Sequence, residues 1–351
     1  MKWGESEDEI LRQYSGVITA EEIKRTMLSH RSLDSILSRA KRLGLHSTLT
    51  FNQHNSPNIP KPNFLNKEKM GKVSPESLQS LWDELYQFQS KSFVMSSRLD
   101  EANIQIDTDN PIAIGFLSDA HIGAISCKYK EFEDRIQLMA DTPNFYVINC
   151  GDSIDNYLPT WHSAGMFGEL IPPELQKVLV EHQFKKLKGR WLASVQGCHE
   201  EPSHVADDFD FNKWLCSELE CANLGFGGFI NIMVGKITYR IHARHKYRFN
   251  SAFNLTNTVK RLREQVGDFD IGAIGHHHQA SVEQLSMPDK DRIFIRPGSF
   301  KAPDRWARSI GFYDTGAFVP TVILYPDKRL MLPFLHLEQA FRFLSCVHTN
   351  A

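Results

Sequence analysis

The sequence predicts an α/β protein, in which a small trihelical domain precedes a sandwich of two mixed β-sheets flanked by helices. From about residue 104 to about residue 340, short apolar segments alternate with longer polar or helical stretches. The first of these segments are about 30 to 45 residues apart, which is the spacing of βαβ crossovers. The later segments lie closer together, as in hairpins, so we expect parallel and antiparallel strands in the same sheets. We place the trihelical domain at 1–46, a flexible linker at 47–73 and the sandwich at 74–351.

The first domain has the pattern of three short, capped helices. Ser6–Glu9 and Thr19–Glu22 each have the Ser/Thr-x-x-Glu spacing of a capping box. Ser32 can cap a third helix, and Gly44 stands where a helix commonly ends. This third helix region carries an excess of basic residues, namely Arg31, Arg39, Lys41 and Arg42. A basic third helix is the element with which helix-turn-helix proteins enter the major groove of DNA.

Together with Trp3 and an acidic first helix, this arrangement resembles Myb/SANT-like domains. The resemblance implies that DNA is a partner and that the four basic residues contact it. The alternative is a helical protein-interaction module whose basic face is merely solvated.

Residues 47–73 are rich in Ser, Asn, Pro and Lys, a composition that cannot bury a core, so we expect a flexible linker. Ser74 and Pro75 then begin a helix as its cap and its first residue. The apolar stripe of this helix comprises Leu78, Leu81, Trp82, Leu85 and Phe88. We expect the stripe to pack on the following domain, with a dimer contact as the alternative.

Eight apolar segments are the candidate strands of the sandwich. They are Ile112–Leu117, Phe145–Cys150, Trp191–Gln196, Ile230–Val234, Ile237–Ile241, Ile271–Ile274, Arg292–Ile295 and Val322–Tyr325. A last amphipathic helix, 337–344, is expected to pack against them.

The overall composition excludes several classes of protein. The 351 residues are 41% apolar and 23% charged, with a net charge of −2, so no global basic field attracts nucleic acid and any such contact needs a local patch. No apolar run approaches the roughly 18 residues of a membrane span, and the N-terminus does not have a signal-peptide pattern. The six cysteines show no C-x-x-C pairing, which favours reduced thiols and a cytoplasmic protein of bacterial or phage origin. The oligomeric state stays open.

Five segments place Asp or His at the end of an apolar strand. They are Asp119-Ala120-His121, Gly151-Asp152-Ser153-Ile154-Asp155, Gly197-Cys198-His199-Glu200, Ile241-His242-Ala243-Arg244-His245 and Gly275-His276-His277-His278. Side chains at i and i+2 of an extended chain point to the same side, so Asp119 and His121 can face one ion. Ligands collect at the carboxyl ends of strands in α/β sheets, and clustered His and carboxylate groups suit divalent metal ions.

The ordered set of D-x-H, G-D-x-x-D, G-C-H-E, a strand-end His and G-H-x-H resembles the calcineurin-like metallophosphoesterase superfamily over about residues 110–300. The resemblance implies a metallophosphoesterase-type sandwich and two divalent ions, with Mn the first expectation and Zn or Fe the alternatives. One ion would be held by Asp119, His121, Asp152 and His278. The other would share Asp152 and take Cys198, the strand-end His and His276. For the strand-end His we favour His245 over His242, because His245 stands at the junction of strand and loop.

Two departures from the superfamily pattern matter. Cys198 stands where its members usually have Asn; a thiolate ligand favours Zn or Fe, whereas a structural thiol would leave the second ion weakly held. Asn156 stands where the superfamily's Ser/Thr protein phosphatases have Arg, which argues against that class. His199 is the expected catalytic acid, and the resemblance implies that Asp155 orients it.

Basic residues near the strand-end His, namely Arg244, Lys246 and Arg248, can bind a phosphate backbone, and ordinary solvated charge is the alternative. The leading hypothesis is a metal-dependent DNA nuclease with an N-terminal DNA-binding module. A phosphomonoesterase or cyclic-nucleotide phosphodiesterase with a regulatory N-terminal module fits the motifs equally well. A non-catalytic DNA- or protein-binding scaffold is the third hypothesis, supported by Cys198 alone.

Overall fold

The computed structural model describes residues 3–14, 20–45, 74–94, 100–158, 163–286 and 288–349. It divides into two compact units, Met1–Leu81 and Trp82–Ala351. The predicted linker, 47–73, lies outside the described residues.

Three short helices form the core of the first unit: α1 (Glu5–Tyr14), α2 (Ala20–Thr26) and α3 (Leu33–Arg42). Their buried apolar side chains are Leu11, Ala20, Ile23, Leu28, Ile36 and Ala40. The Ser32 hydroxyl caps α3 by accepting a hydrogen bond from the Ser35 N–H at 3.2 Å. Gly44, just beyond α3, has a φ of +75°, the left-handed conformation with which helices commonly end.

The helix α4 (Pro75–Val94) begins as its sequence indicates, because the Ser74 hydroxyl accepts a hydrogen bond from the Ser77 N–H at 3.1 Å. Its apolar stripe is exposed rather than packed. The exposed fraction reaches 70% at Trp82 and 71% at Phe88. This differs from the expectation that the stripe packs on the sandwich.

The second unit contains twelve strands among its described residues. They are β1 (Glu101–Ile106), β2 (Ile112–Leu117), β3 (Phe145–Asn149), β4 (Trp191–Ser194), β5 (Ala222–Asn223), β6 (Gly227–Val234), β7 (Ile237–Arg244), β8 (Ile271–Ile274), β9 (Ser281–Ser286), β10 (Asp291–Arg296), β11 (Thr321–Leu324) and β12 (Met331–Phe334). The helices are α5 (Tyr129–Asp141), α6 (Pro173–Phe184), α7 (Glu201–Asp207), α8 (Phe211–Leu219), α9 (Asn257–Val266), α10 (Arg305–Ser309) and α11 (Leu337–Thr349), with short 3₁₀ turns at Ser163–Gly168 and Lys185–Leu187.

These strands form two six-stranded sheets, in the orders β1-β6-β7-β8-β10-β9 and β12-β11-β2-β3-β4-β5. Both sheets are mixed: β2, β3, β4 and β5 run parallel, whereas β11 pairs antiparallel with β2. In the other sheet β7 runs parallel to β8 and antiparallel to β6. The predicted α/β sandwich of two mixed sheets is therefore confirmed.

The two sheets bury a common apolar cluster between them, to which both contribute Ile and Val side chains. A second cluster lies under the helices that cover β2, β3 and β4, and it includes Phe132, Phe145, Phe184 and Trp191. Packing on both faces explains why β2, β4, β8 and β11 are mostly apolar and buried throughout, whereas β6 alternates buried and partly exposed residues. The loops after β2, β3, β4, β7 and β8 carry the five Asp- and His-containing segments, so both sheets contribute to one site.

Candidate metal centre

The structure brings the predicted metal ligands into adjacent groups at the carboxyl ends of the strands. One group contains Asp119, His121 and His278, and another contains Asp152, Cys198, His245 and His276. A third combination, His121, Asp152 and His199, overlaps with both. Within each group the potential ligand atoms all lie within 4.8 Å of one another. Nitrogen, oxygen and sulfur donors at this spacing are the donor set of a divalent metal centre.

In the first group, two imidazoles converge on one carboxylate. His278 Nε2 lies 3.2 Å from Asp119 Oδ1 and 3.2 Å from His121 Nε2. His121 Nδ1 lies 2.8 Å from Asp155 Oδ1, so the proton of a neutral ring is on Nδ1 and the lone pair is on Nε2. No hydrogen bond from a described residue reaches the buried Asp119 Oδ1. A buried, unsatisfied carboxylate oxygen facing an imidazole lone pair fits a cation.

The second group is built around the Cys198 thiol. Its Sγ lies 3.5 Å from Asp152 Oδ2, 3.4 Å from His245 Nε2 and 3.3 Å from His276 Nδ1. His245 Nδ1 donates to the Cys150 carbonyl at 2.8 Å, which directs Nε2 into the group.

Asp152 joins the two groups. Its Oδ2 is 3.0 Å from His245 Nε2 in the second group and 4.0 Å from His121 Nε2 in the first. Its Oδ1 accepts the His199 backbone N–H at 2.8 Å. One carboxylate therefore stands between two ligand sets, as in a dinuclear centre.

Five of the seven ligand residues adopt a backbone conformation that is unusual for residues other than glycine. The φ angles are +52° at Asp119, +49° at His121, +54° at Asp152, +71° at His276 and +59° at His278. This left-handed conformation costs free energy and is concentrated at functional sites, where the surrounding structure imposes it. It also changes the geometry expected for Asp119 and His121: β2 ends at Leu117, so both side chains project from a turn rather than from extended chain.

Hydrogen bonds between loops hold these turns. The Asp119 N–H donates to the Gly151 carbonyl at 2.9 Å, and the His121 N–H donates to the Asp152 carbonyl at 3.0 Å. The loop after β4 approaches just as closely, since a Cβ added to Gly197 would lie 2.1 Å from the Asp152 nitrogen. Only glycine fits at 197.

Glu200 and Ser118 hold the ligand residues Asp152 and Asp119 in place through hydrogen bonds. The buried Glu200 carboxylate accepts the N–H groups of Ser153 at 2.6 Å and Asp152 at 3.2 Å. Burial raises the pKa of Glu200 to about 7. The Ser118 hydroxyl donates to Asp119 Oδ2 at 2.5 Å, and the His276 N–H donates to the same oxygen at 3.0 Å. Asp119 Oδ1 is thereby turned toward the ligand group.

The structure places Asp155 differently from the expectation that its carboxylate orients His199. Its Oδ1 pairs instead with His121 Nδ1 at 2.8 Å and with Lys301 Nζ at 2.9 Å, and it is 3.9 Å from His199 Nδ1. The Asp155 backbone carbonyl accepts the His199 Nδ1 proton at 2.5 Å. Asp155 therefore fixes the tautomers of both histidines, through its side chain for His121 and its main chain for His199.

Burial and neighbouring charges shift the pKa values of the ligand side chains. Burial lowers the pKa of His121 and of His276 to about 4, so both are neutral donors at pH 7. Burial also lowers the pKa of His245, but the Asp152 carboxylate outweighs this effect and raises it well above its ordinary value. Burial and Asp152 raise the pKa of Cys198 to about 11. A cation among these groups would displace the His245 and Cys198 protons.

His242, the alternative to His245, lies outside these groups. Its ring packs edge-on against Phe229, with 4.7 Å between centroids, and burial lowers its pKa to about 4. His242 is thus part of an aromatic cluster on the sheet, whereas His245 faces the metal-ligand group.

The basic residues after β7 differ in their surroundings. Arg244 is partly buried and donates from Nε to the Lys246 carbonyl at 2.7 Å. Lys246 and Arg248 are exposed. Arg248 stands over Phe249, with its guanidinium carbon 4.9 Å from the ring centroid.

The basic residues of the first unit divide into two pairs. Arg31 is 8% exposed and forms a bidentate ion pair with Glu7, at 2.8 and 2.7 Å. Arg39 pairs with Asp8 in the same way, at 2.8 and 2.6 Å. Two of the four predicted DNA contacts are therefore engaged within the unit. Lys41 and Arg42 are exposed.

Sequence reasoning did not find the roles of Lys301, Ser118 or the Cys150 carbonyl. Lys301 looked like one of several basic residues after β10, yet its side chain is 9% exposed and neutralises Asp155. Its partner is 146 residues away in the chain, and no local pattern predicts such a contact. Ser118 could have been suspected, because it directly precedes Asp119.

No helix among the described residues is long and apolar enough to cross a membrane. No protein-family model matches the chain, and neither does any curated protein.

Among solved structures, the chain is similar to an uncharacterised protein of Streptococcus pneumoniae described as a predicted phosphoesterase. The identity is 15%, the TM-score is 0.32, and the match covers 65% of this chain and 99% of that one. Nuclease MPE of Pseudomonas putida matches at 12% identity and a TM-score of 0.31, covering 63% and 87% of the two chains. A protein serine/threonine phosphatase of Saccharomyces cerevisiae matches at 10% and 0.34, covering 68% and 83%. Similarity at this level assigns neither a family nor an activity, so the function is inferred from the site itself.

Proposed function

We propose that the chain is a dimetal-dependent phosphoester hydrolase and that its substrate is a phosphodiester of DNA. The observation that carries this proposal is the pair of adjacent ligand groups joined by Asp152. The unsatisfied Asp119 Oδ1 and the converging imidazoles fit divalent ions, of which Mn²⁺ suits the oxygen and nitrogen donors of the first group. When bound, two such ions polarise a phosphoryl group and lower the pKa of a water nucleophile.

His199 supplies the proton for the leaving oxygen in this proposal. Its Nδ1 proton is donated to the Asp155 carbonyl, so the proton transferred comes from Nε2 of the imidazolium. The backbone N–H of the same residue holds Asp152 Oδ1, which ties the acid to the bridging carboxylate. The loop after β4 thus holds the acid next to the bridging carboxylate of the loop after β3.

The loop after His245 supports a polymeric nucleic-acid substrate. It combines the exposed cations Lys246 and Arg248 with Phe249, which is 51% exposed, and Phe253, which is fully exposed. Cations that neutralise phosphates, interleaved with aromatic rings on which bases stack, are typical of nucleic-acid contacts. A site for a small monoester needs no such surface.

The first unit supports DNA binding through the two exposed basic residues of α3, Lys41 and Arg42. An α-helix with exposed cations can lie in the major groove and contact phosphates. Because the two units belong to one chain, DNA bound to the first unit stays at high effective concentration near the metal centre.

The proposal is tested by hydrolysis assays with Mn²⁺-reconstituted protein. The substrates are single- and double-stranded DNA, bis-p-nitrophenyl phosphate and p-nitrophenyl phosphate. Asp152→Ala removes the bridging carboxylate, and Asp134→Ala, at an exposed Asp on α5, is the matched control. We expect DNA cleavage that is lost in Asp152→Ala and retained in Asp134→Ala.

Two results would contradict the proposal. Turnover of the small esters with intact DNA would indicate a phosphomonoesterase or small phosphodiesterase instead. Bound metal without turnover of any substrate would favour a non-catalytic scaffold.

A further inference from the structure

The two ligand groups differ in chemistry. The first group and the shared Asp152 offer carboxylate oxygens and imidazole nitrogens. The second group adds the sulfur of Cys198, which lies 3.3 to 3.5 Å from the three other donor atoms. Soft thiolate ligands select thiophilic ions, whereas a set of carboxylate oxygens and imidazole nitrogens without sulfur also takes harder ions such as Mn²⁺.

The distances from Cys198 Sγ to the other donor atoms are close to those between the ligands of a small tetrahedral ion. Zinc bonds of about 2.3 Å to sulfur and 2.0–2.1 Å to nitrogen or oxygen give tetrahedral donor–donor edges of roughly 3.3–3.6 Å. The three edges from Cys198 Sγ fall close to this range, and the edge between His245 Nε2 and Asp152 Oδ2 is 3.0 Å. One atom each from four residues completes a four-coordinate set.

Hydrogen bonds to neighbouring groups orient these metal-donor atoms. The Cys150 carbonyl holds the His245 ring, and the Asp152 carboxylate is fixed by the His199 N–H. Donors held in place by neighbouring groups lose little entropy when an ion binds and discriminate well between ions.

We propose that the two ion positions are chemically unequal: the position at Cys198 binds Zn²⁺ through a thiolate bond, and the position at Asp119, His121 and His278 takes the harder Mn²⁺. Binding replaces the Cys198 S–H bond by a sulfur–metal bond and releases that proton to solvent, together with the Nε2 proton of His245. The inference rests on the ion positions of the proposed function and does not depend on which phosphoester is cleaved.

The test uses the full chain, stripped with a chelator and titrated with Co²⁺, whose thiolate complexes absorb in the near ultraviolet by sulfur-to-metal charge transfer. We expect one equivalent of Co²⁺ to produce this absorption and one equivalent of Zn²⁺ to abolish it. Cys198→Asn removes the sulfur while keeping a metal-binding side chain, and Cys198→Ser preserves the size. Cys346→Ala is the matched control, because that thiol is exposed on α11 and lies in none of the ligand groups.

The charge-transfer band should disappear in both Cys198 variants and persist in Cys346→Ala. Removing a direct ligand should weaken Zn²⁺ binding at least as much as removing a group that orients a ligand, by about tenfold or more. Bound Co²⁺ without the band in the wild-type chain, or the same band in Cys198→Ser, would overturn the inference. A normal band with no hydrolysis of any ester would instead overturn the proposed function and leave this inference standing.

Discussion

The backbone and the side chain of His199 have different roles in the site. Its N–H fixes the bridging Asp152, while its imidazole is held by the Asp155 carbonyl. A general acid matters most when the leaving group is a poor one. The same histidine should therefore be needed for DNA and much less for an activated ester.

We expect His199→Ala to lower DNA cleavage by about 10²–10⁴-fold, the usual contribution of a positioned acid. Hydrolysis of bis-p-nitrophenyl phosphate should fall far less, because nitrophenolate leaves without a proton. Parallel kinetics on both substrates, with metal content measured for each protein, check this prediction.

His204→Ala, at a partly exposed histidine that pairs with Asp208, is the control for these kinetics. An equal loss on both substrates would contradict the assignment of His199 as the acid. A loss of bound metal would make His199 a ligand, through the third group that it forms with His121 and Asp152.

The interior strands of both sheets are predictable from the sequence, and the edge strands are not. All eight predicted segments correspond to interior strands, each of which buries at least one apolar face between its neighbours. The four that were not predicted, β1, β5, β9 and β12, are the edges of the two sheets. An edge strand such as β9 is largely exposed, so its hydrogen bonding comes from its neighbour rather than from its own pattern.

The ligand residues were predictable because they directly follow these interior strands in the sequence. Their supporting contacts were not, because Lys301 and the Cys150 carbonyl act across loops that only the folded chain brings together.

The close approach of the loops after β3 and β4 gives a prediction for Gly197. An added methyl group would lie 2.1 Å from the Asp152 nitrogen and 2.2 Å from its Oδ1, so Gly197→Ala must push the bridging carboxylate away. We expect loss of bound metal and destabilisation of the sandwich by about 1–3 kcal/mol, the usual cost of overpacking. Metal analysis and urea denaturation measure the two effects.

Gly168→Ala is the control, since a methyl group there meets no atom within 4 Å. Unchanged metal content in Gly197→Ala would show that the loops can separate without losing the centre.

The three-helix unit gives a pH prediction. The hydrogen bond from Arg31 holds the pKa of Glu7 far below its usual 4.5. A carboxyl whose folded-state pKa is lowered stabilises the fold above its unfolded pKa, and this contribution is lost as pH falls through the folded pKa. We therefore expect the unit to be fully stable at pH 6 and progressively weaker below about pH 4.5. Urea titrations of the full chain at pH 6 and pH 3, followed through the Trp3 indole signal by NMR, check this.

Glu7→Gln should reduce that pH dependence to the part that the Asp8–Arg39 pair contributes, whereas Glu9→Gln, at an exposed position of the same helix, should keep it in full. Equal behaviour of the two variants would assign the acid sensitivity to other groups.

At the scale of the whole second unit, the metal centre depends on both sheets. Asp119, Asp152 and Cys198 follow strands of one sheet, whereas His245 and His276 follow strands of the other. Ions bound at this edge therefore connect the sheets and stabilise the folded sandwich by mass action. Free ion at about 100 times its Kd adds roughly 2.7 kcal/mol.

We expect a chelator to lower the Tm of the sandwich by several degrees and to leave the three-helix unit unaffected. Calorimetry of the full chain, with and without added Mn²⁺ and Zn²⁺, checks this. Asp152→Ala should melt at the same temperature in both conditions; a metal-dependent Tm in that variant would place the stabilising ion elsewhere.

The proposed function assigns DNA binding to the first unit and hydrolysis to the second. Variants of Lys41 and Arg42 test these two roles separately. Arg31 and Arg39 are engaged by Glu7 and Asp8, so changing them would test stability rather than DNA contact. Lys41→Gln and Arg42→Gln remove exposed charge only. Removal of one cation that contacts a phosphate should lower the slope of log K against log salt concentration by about 0.9 and weaken duplex binding. Turnover of bis-p-nitrophenyl phosphate should stay unchanged, because that ester needs only the metal centre.

Lys130→Gln, at an exposed lysine of α5, controls for the removal of one positive charge. An equal fall in salt dependence in Lys130→Gln would show that DNA binding depends on the net charge of the chain. A fall in the α3 variants alone would assign duplex binding to the first unit and cleavage to the second.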